Sequence, residues 1–392
     1  MLDLQSIFNP VLLEKMGLPQ GSKSNQIGNK ISIHTEDDFP DLEHVKIAII
    51  GVEEERGAFN NSGCATAPDA IRREFYRLFA QKNMLPTTDL GNLKIGNSIN
   101  DTYAILSEVL AALIEENIIP VILGGSQDLT YANYLAYERL NRVVNITAID
   151  PLFNLGEEPN PLKSNTYLHK IILRQPNYLF NFSNVGYQTY LVDSDEIDLM
   201  EKLLFDTHRL GLAKADLVDC EPIIRNADVL SLDVSAVRFS DFPGCNNATP
   251  NGFSGEEICK LAQFAGASNK LSSFGIYEYN PLCDAANQSA ILLAEMLWYF
   301  MDGVSLRTND MPDIVKSNFY KYFVSLHENA YEIIFYKSMT NGLWWMEIPL
   351  REAEHSKYNR HYIVPCSHKD YLTACNNEVP ERWLQTFKKI QQ

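Results

Sequence analysis

The chain reads as a three-layer α/β/α protein on a mostly parallel central sheet, followed by a C-terminal extension containing a β-hairpin. Three observations carry that reading. Short apolar runs ending in Gly or Asp recur along the sequence, as strands buried on both faces do. Stretches with helical apolar spacing, ten or more residues long, alternate with those runs, and parallel strands need crossovers of that length. The hydrophobic fraction of 45% in 392 residues is ample for a large core and excludes disorder over the bulk.

Residues 1–44 are polar, with Gly, Ser and Asn in QGSKSNQIGNK, and read as an N-terminal lead-in. VKIAIIG at 45–51 is the first predicted strand, and APDAIRREFYRLFA at 67–80 follows as a helix. Over 101–117, Ile105, Leu106, Val109, Leu110, Leu113 and Ile114 form one helical stripe. IIPVILGG (118–125) and VVNITAID (143–150) are strands; YLVDSDEIDLMEKLL (190–204) reads as strand then helix. DVLSLDVSAV (228–237) is a strand, and Ser254-Gly-Glu-Glu257 is a capping box opening a helix. FGIYEYN (274–280) is the last strand of the 45–303 domain, before a helix at 287–301. From 304 to 392 the texture changes. YEIIFYKS (331–338), a turn holding Asn341-Gly342, and LWWMEIPL (343–350) form an aromatic-rich hairpin, and a short helix from about Pro380 closes the chain. Trp344 and Trp345 serve either packing of the extension or a stacking surface, with packing favoured because bulky strand aromatics usually serve burial.

Charge narrows the function classes. With 33 Lys+Arg against 50 Asp+Glu the net charge is −17, which repels nucleic-acid backbones and anionic membranes. The seven cysteines are scattered with no C-x-x-C pair, the pattern of reduced thiols rather than disulfides or a thiolate zinc site. The first residues lack a basic-then-apolar leader, and no window approaches a membrane span, so the expected location is cytoplasmic.

In open α/β sheets ligands bind beyond the carboxyl ends of the strands. Those ends carry Gly124-Gly125-Ser126-Gln127-Asp128, then Asp150, then Asp233 and Ser235, then Glu278. Acidic residues there either cap helices and line loops or converge on a site, where mutual repulsion demands a cation, an arginine or a proton.

The surrounding segments resemble the ureohydrolases: arginases, agmatinases and formimidoylglutamases. GVEEERGAFNNSGCATAPDAIR (51–72) is similar to the family's entry segment, PVILGGSQDLT (120–130) to Gly-Gly-Asp-His-Ser, and ITAIDPLFN (146–154) to Ile-Asp-Ala-His-x-Asp. SLDVSAVRFSDFPG (231–244) resembles Ser-x-Asp-x-Asp, and NGFSGEEICKLAQFAG (251–266) and YEYNPLCD (277–284) complete the order. The resemblance implies two manganese ions held by two His and four Asp, activating a bridging hydroxide. Carried over position by position, the ligand slots fall on Gln127, Asp150, Leu152, Asn154, Asp233 and Ser235, and the substrate-contacting Glu on Glu278. Two of those ligands are kept. Leu152 cannot ligate, so no binuclear centre is expected; Gln127, Asp150, Asn154 and Asp233 could together hold at most one divalent cation, Mn, Mg or Ca.

His169, in TYLHK (166–170), aligns loosely with a family histidine that assists proton transfer; the alternative is a loop histidine. Cys64 has no neighbouring His and reads as a buried thiol before a nucleophile. The preferred reading is therefore a divergent ureohydrolase-fold protein acting as a binding or scaffold module. The alternative is a hydrolase of linear amidines or guanidines with a reduced metal site, and a third possibility is a sensor of a cationic amine. The partners expected are a small cationic amidine or amine, or another protein. The resemblance also implies a homo-oligomer.

Overall fold

The computed structural model describes residues 3–16, 23–156, 161–308, 311–312, 318–326, 331–351 and 358–391. The lead-in forms two one-turn helices and two short strands, α1 (Leu4–Ile7), β1 (Phe8–Asn9), α2 (Leu13–Met16) and β2 (Ser32–Ile33). Strand and helix then alternate: β3 (Ile47–Gly51), α3 (Ala67–Phe75), β4 (Thr87–Leu93), α4 (Ile99–Glu115), β5 (Ile119–Leu123), α5 (Leu129–Arg139), β6 (Val144–Ile149), α6 (Tyr167–Ile172) and β7 (Leu179–Tyr187). They continue through α7 (Ser194–Lys202), β8 (Asp206–Arg209), α8 (Leu210–Ala215), α9 (Glu221–Arg225), β9 (Val229–Asp233), α10 (Gly255–Ala267), β10 (Ser273–Tyr277) and α11 (Gln288–Ser305). The strands assemble in the order β1-β4-β3-β5-β10-β9-β6-β7-β8, with β2 also on β4. All pairs from β4 to β8 are parallel; only β1 runs antiparallel, so the lead-in contributes to the sheet's edge.

Alternation along the strands separates two cores. Ile47 and Ile49 join the cluster under α3, α10 and α11, whereas Ala48 and Ile50 join the one under α4, α5 and α6. A parallel sheet covered on both faces needs this, because each successive side chain points to the opposite side. Helix α3 is amphipathic by the same logic, burying Ala67, Pro68, Ile71 and Phe75, and it buries Arg72 as well. The capping box holds as read: Ser254 N donates to Glu257 Oε2 at 2.7 Å and Glu257 N to Ser254 Oγ at 3.2 Å.

Three strand readings are corrected. Residues 190–193 form a turn and the lead into α7; the strand is β7, ten residues earlier. Apolar runs do not predict strand β4. Both strands carry buried polar residues that tertiary partners satisfy: Asn181 donates to Asp206 Oδ2 at 2.7 Å, Asn184 to the Leu152 carbonyl at 2.8 Å, and Arg72 Nε to Asp89 Oδ2 at 2.8 Å. The rule that buried strands are apolar therefore passes over them. Strand β9 ends at Asp233 instead of 237, because the Asp233 side chain accepts the Ser235 N–H at 2.7 Å and turns the backbone into a 3-10 helix.

The extension forms a four-stranded antiparallel sheet in the order β11 (Phe319–Leu326), β12 (Tyr331–Ser338), β13 (Trp344–Glu347) and β14 (Ile363–Cys366). Helices α12 (His368–Cys375) and α13 (Glu381–Gln391) follow. The hairpin at 331–350 is β12 and β13, with Gly342 in the left-handed region at φ +73°. Trp344 and Trp345 are both buried, the first among the aromatic core of this sheet and the second beneath Arg225. No helix among the described residues is long and apolar enough to cross a membrane.

Candidate functional site

Strands β5, β10, β9 and β6 are neighbours at the centre of the sheet, and their carboxyl ends bring the strand-end residues together. After β5 the chain passes through Gly124 and Gly125 at φ +84° and +73°. A Cβ on Gly125 would meet the Glu54 carbonyl at 2.7 Å and the Val52 carbonyl at 2.9 Å, so the turn requires glycine. It delivers Gln127 beneath Glu278, whose carboxylate accepts the Gln127 main-chain N–H at 2.8 Å. The other Glu278 oxygen accepts from the Asn61 amide, also at 2.8 Å. Glu278 sits in the left-handed region at φ +70°, an uncommon conformation for a non-glycine residue, held by these contacts.

Asp150, at the end of β6, accepts the Leu152 N–H on Oδ1 at 2.8 Å and the Asn154 amide on Oδ2 at 2.7 Å. Asn154, itself left-handed at φ +57°, also donates Nδ2 to Gln127 Oε1 at 2.9 Å. Gln127 Nε2 continues the chain to Ser231 Oγ at 3.3 Å. Gln127, Asp150, Asn154, Ser235 and Glu278 are all buried, and Asp233 is the one least enclosed. Five expected site residues and Glu278 thus share one place in the fold.

Burial and mutual repulsion dominate the electrostatics. Desolvation pushes the Glu278 carboxyl up to about 8, with the Asp233 charge adding to it. Asp233 is raised to about 6 by burial, and Asp150 well above the carboxylate range by burial and the same neighbour. A little further along, burial lifts Asp128 to about 6, while the Tyr103 hydroxyl donates to it. At neutral pH this cluster is short of positive charge, holding protons that a bound cation would displace.

His169 stands apart from the cluster's hydrogen bonds. It lies in α6, and its Nδ1 is tied to the Gly156 carbonyl at 3.0 Å, so the ring does not bond Asp150, Asp233 or Glu278. That contact fits the reading of His169 as a structural histidine, the one favoured over a proton-transfer role. Two residues escaped the sequence reading. Asn61 positions Glu278, and the only signal for it was its place in the 51–72 segment. Tyr167, two residues before His169, buries a hydroxyl without a partner beside Asp150 and Asp233. Cys64 is buried with its thiol pushed up by desolvation, an inert group rather than a nucleophile. Among the described residues, no three or more His, Cys, Asp and Glu side chains are grouped to hold a metal ion.

A three-layer, mostly parallel sheet with a buried acidic cluster across four central strand ends defines an α/β protein of ureohydrolase build. Its fold matches that of Trypanosoma cruzi formiminoglutamase solved with Mn2+, with a TM-score of 0.62 and 18% identity, over 69% of this chain and 100% of that one. It likewise matches formimidoylglutamase from Bacillus subtilis, with a TM-score of 0.64 and 17% identity, over 72% of this chain and 93% of that one. In sequence, formimidoylglutamase from Staphylococcus haemolyticus is 25% identical over 272 residues, 65% of this chain and 85% of the relative. That from Rhodococcus jostii is 25% identical over 278 residues, covering 64% and 83%. The model of the arginase family matches residues 45–302. The chain belongs to the arginase family.

Proposed function

We propose that the strand-end cluster binds a small amidinium, guanidinium or amine cation without a binuclear manganese centre, and that the chain works as a binding or scaffold module. One observation carries this reading: Asn154 Nδ2 sits between Gln127 Oε1 at 2.9 Å and Asp150 Oδ2 at 2.7 Å. A metal needs acceptor lone pairs at that point, and an amide facing a carboxylate presents N–H donors instead. Leu152 offers no donor atom, and the Ser235 hydroxyl is neutral, so the residues present do not fit two manganese ions. The neutral Asn154 and Ser235 also lower the negative charge that such ions would balance. What remains, Asp233 and Glu278 with raised proton affinity, favours an organic cation whose N–H groups pair with carboxylates.

Metal analysis of protein purified without chelator, paired with calorimetric titration of guanidine and formamidine, tests it. The expected result is sub-stoichiometric manganese with saturable binding of at least one cation, lost in Asp233→Asn. Two equivalents of manganese with release of urea or formamide from a guanidino or amidino substrate would overturn it.

The names of the relatives favour a second reading, a metal-dependent hydrolase of linear amidines. Here one divalent cation (Mn, Mg or Ca) would be held by Asp150 and Asp233 with Gln127 and Asn154 beside them. It predicts one equivalent of metal, with metal and amidine hydrolysis lost together in Asp150→Ala and Asp233→Ala. A protein partner and a homo-oligomer belong to the first reading, and light scattering of the full chain reads the second of these directly.

A further inference from the structure

A cavity of about 200 Å³ lies where the family domain meets the C-terminal sheet, beside the segments that enter β9 and β10 rather than at their carboxyl ends. Its walls come from α9, the end of α10 with Asn269 and Lys270, the residues Leu306, Thr308 and Met311, and β13 and β14 with the turn before them. In a chain of net charge −17, none of its lining residues is acidic, and two are buried cations, Arg225 and Lys270.

Arg225 is 5% exposed. Its Nε donates to Glu221 at 2.6 Å, its Nη2 to the Trp344 and Cys366 carbonyls at 3.0 and 3.3 Å, and its guanidinium lies 4.4 Å above the Trp345 ring. The remaining nitrogen, Nη1, is buried with no hydrogen-bond partner. A guanidinium nitrogen left open in a low-dielectric setting is costly unless an acceptor fills it. Lys270 is held only by neutral groups, donating to Asn226 Oδ1 at 3.0 Å and meeting His361 Nδ1 at 3.5 Å. The nearest carboxylate, Asp228, is already bonded by Arg360 at 2.5 Å and by the Asn145 N–H at 2.9 Å. Burial pulls the Lys270 amine down to about 8, the mark of a cation lacking an anion. Asn269 and Asn341 line the same wall, but their Nδ2 groups already donate to Thr308, to its carbonyl and to its Oγ1 respectively.

We propose that this cavity binds a small oxyanion, either inorganic phosphate or the phosphate group of a small monoester. A guanidinium with an open N–H and a buried ammonium are the donors that such an oxyanion takes. The occupied site bridges α9, the 267–270 segment and the C-terminal sheet, so the anion clamps the extension onto the domain. Binding here is independent of what occupies the strand-end cluster.

Calorimetric titration of the full chain with inorganic phosphate and with glycerol phosphate, at constant ionic strength, tests the assignment. Saturable binding of either is expected, accompanied by a change in tryptophan fluorescence from Trp345. Tighter binding of the monoester assigns the ligand to an organic phosphate, and the reverse order to free phosphate. Lys270→Gln weakens binding roughly tenfold to hundredfold, the worth of one charged hydrogen bond. Ala267→Leu fills the cavity without touching a charge and abolishes binding while circular dichroism stays native. Phosphate also stabilises proteins in bulk by exclusion from their surface. A response equal in the wild type and both variants, or no saturable heat with either anion, would overturn the proposal.

Discussion

Asn154 shows how one side chain sets the chemistry of a buried cluster. Its single amide nitrogen satisfies both Gln127 and Asp150, so replacing it with an apolar residue leaves two buried acceptors short of a donor. Asn154→Leu is expected to destabilise the protein by about 1–3 kcal/mol in urea unfolding. The carboxylates act in the opposite sense. Burial pushes Glu278 and Asp233 up to about 8 and about 6, above the ordinary carboxyl values of 4.5 and 3.8. The folded state therefore binds more protons than the unfolded one between those values, and stability falls as pH rises, from about 4 to about 6 for Asp233 and from about 4.5 to about 8 for Glu278. Asp233→Asn removes part of that fall and raises stability at pH 8 by roughly 1–3 kcal/mol, a gain absent at pH 4. Melting curves of the two proteins across that range check it; equal slopes against pH would refute the repulsion.

Elements place these residues through backbone demands as much as through side chains. The β5–α5 turn exists because Gly124 and Gly125 both have positive φ, and a Cβ at Gly125 has no room beside the Glu54 and Val52 carbonyls. Gly125→Ala is expected to cost about 1–3 kcal/mol and to loosen Gln127 beneath Glu278, read as a lower melting temperature with weaker cation binding. Helix α3 and strand β4 are joined by a fully buried pair, Arg72 and Asp89, with Arg72 Nη2 also on Oδ1 at 2.8 Å. Arg72→Met strands the Asp89 charge and should cost about 3–5 kcal/mol in denaturant titration. The same elements show what was legible. Strands β3, β5 and β6 and helix α4 follow from apolar periodicity to within a few residues. Strands β4 and β7 do not, because Asp89, Asn181 and Asn184 are buried only where a distant partner, Arg72, Asp206 or the Leu152 carbonyl, exists to receive them.

At the scale of the molecule, an acidic domain is covered by an extension that reaches it with basic side chains. Arg360 pairs with fully buried Asp228, and Lys369 with exposed Asp216 and Asp219. Screening separates the two contacts: Arg360→Ala is expected to destabilise by about 1–2 kcal/mol, whereas Lys369→Ala leaves the unfolding midpoint unchanged. The sequence by itself determined the α/β layering, the hairpin of the extension, and the segment order that leads to the arginase family. It also placed Gln127, Asp150, Asp233, Ser235 and Glu278 at the strand ends, and the resemblance to the ureohydrolases added Asn154. Only the tertiary structure decided how those groups meet: that Asn154 donates where a ligand would accept, that Tyr167 and Asn61 stand beside the carboxylates, and that His169 does not. It alone also joined Arg225 and Lys270 to β13 and β14, more than 70 residues downstream. Periodicity records which face of an element is buried, but hydrogen bonding and proton affinity depend on partners supplied across the chain, and no local pattern encodes those.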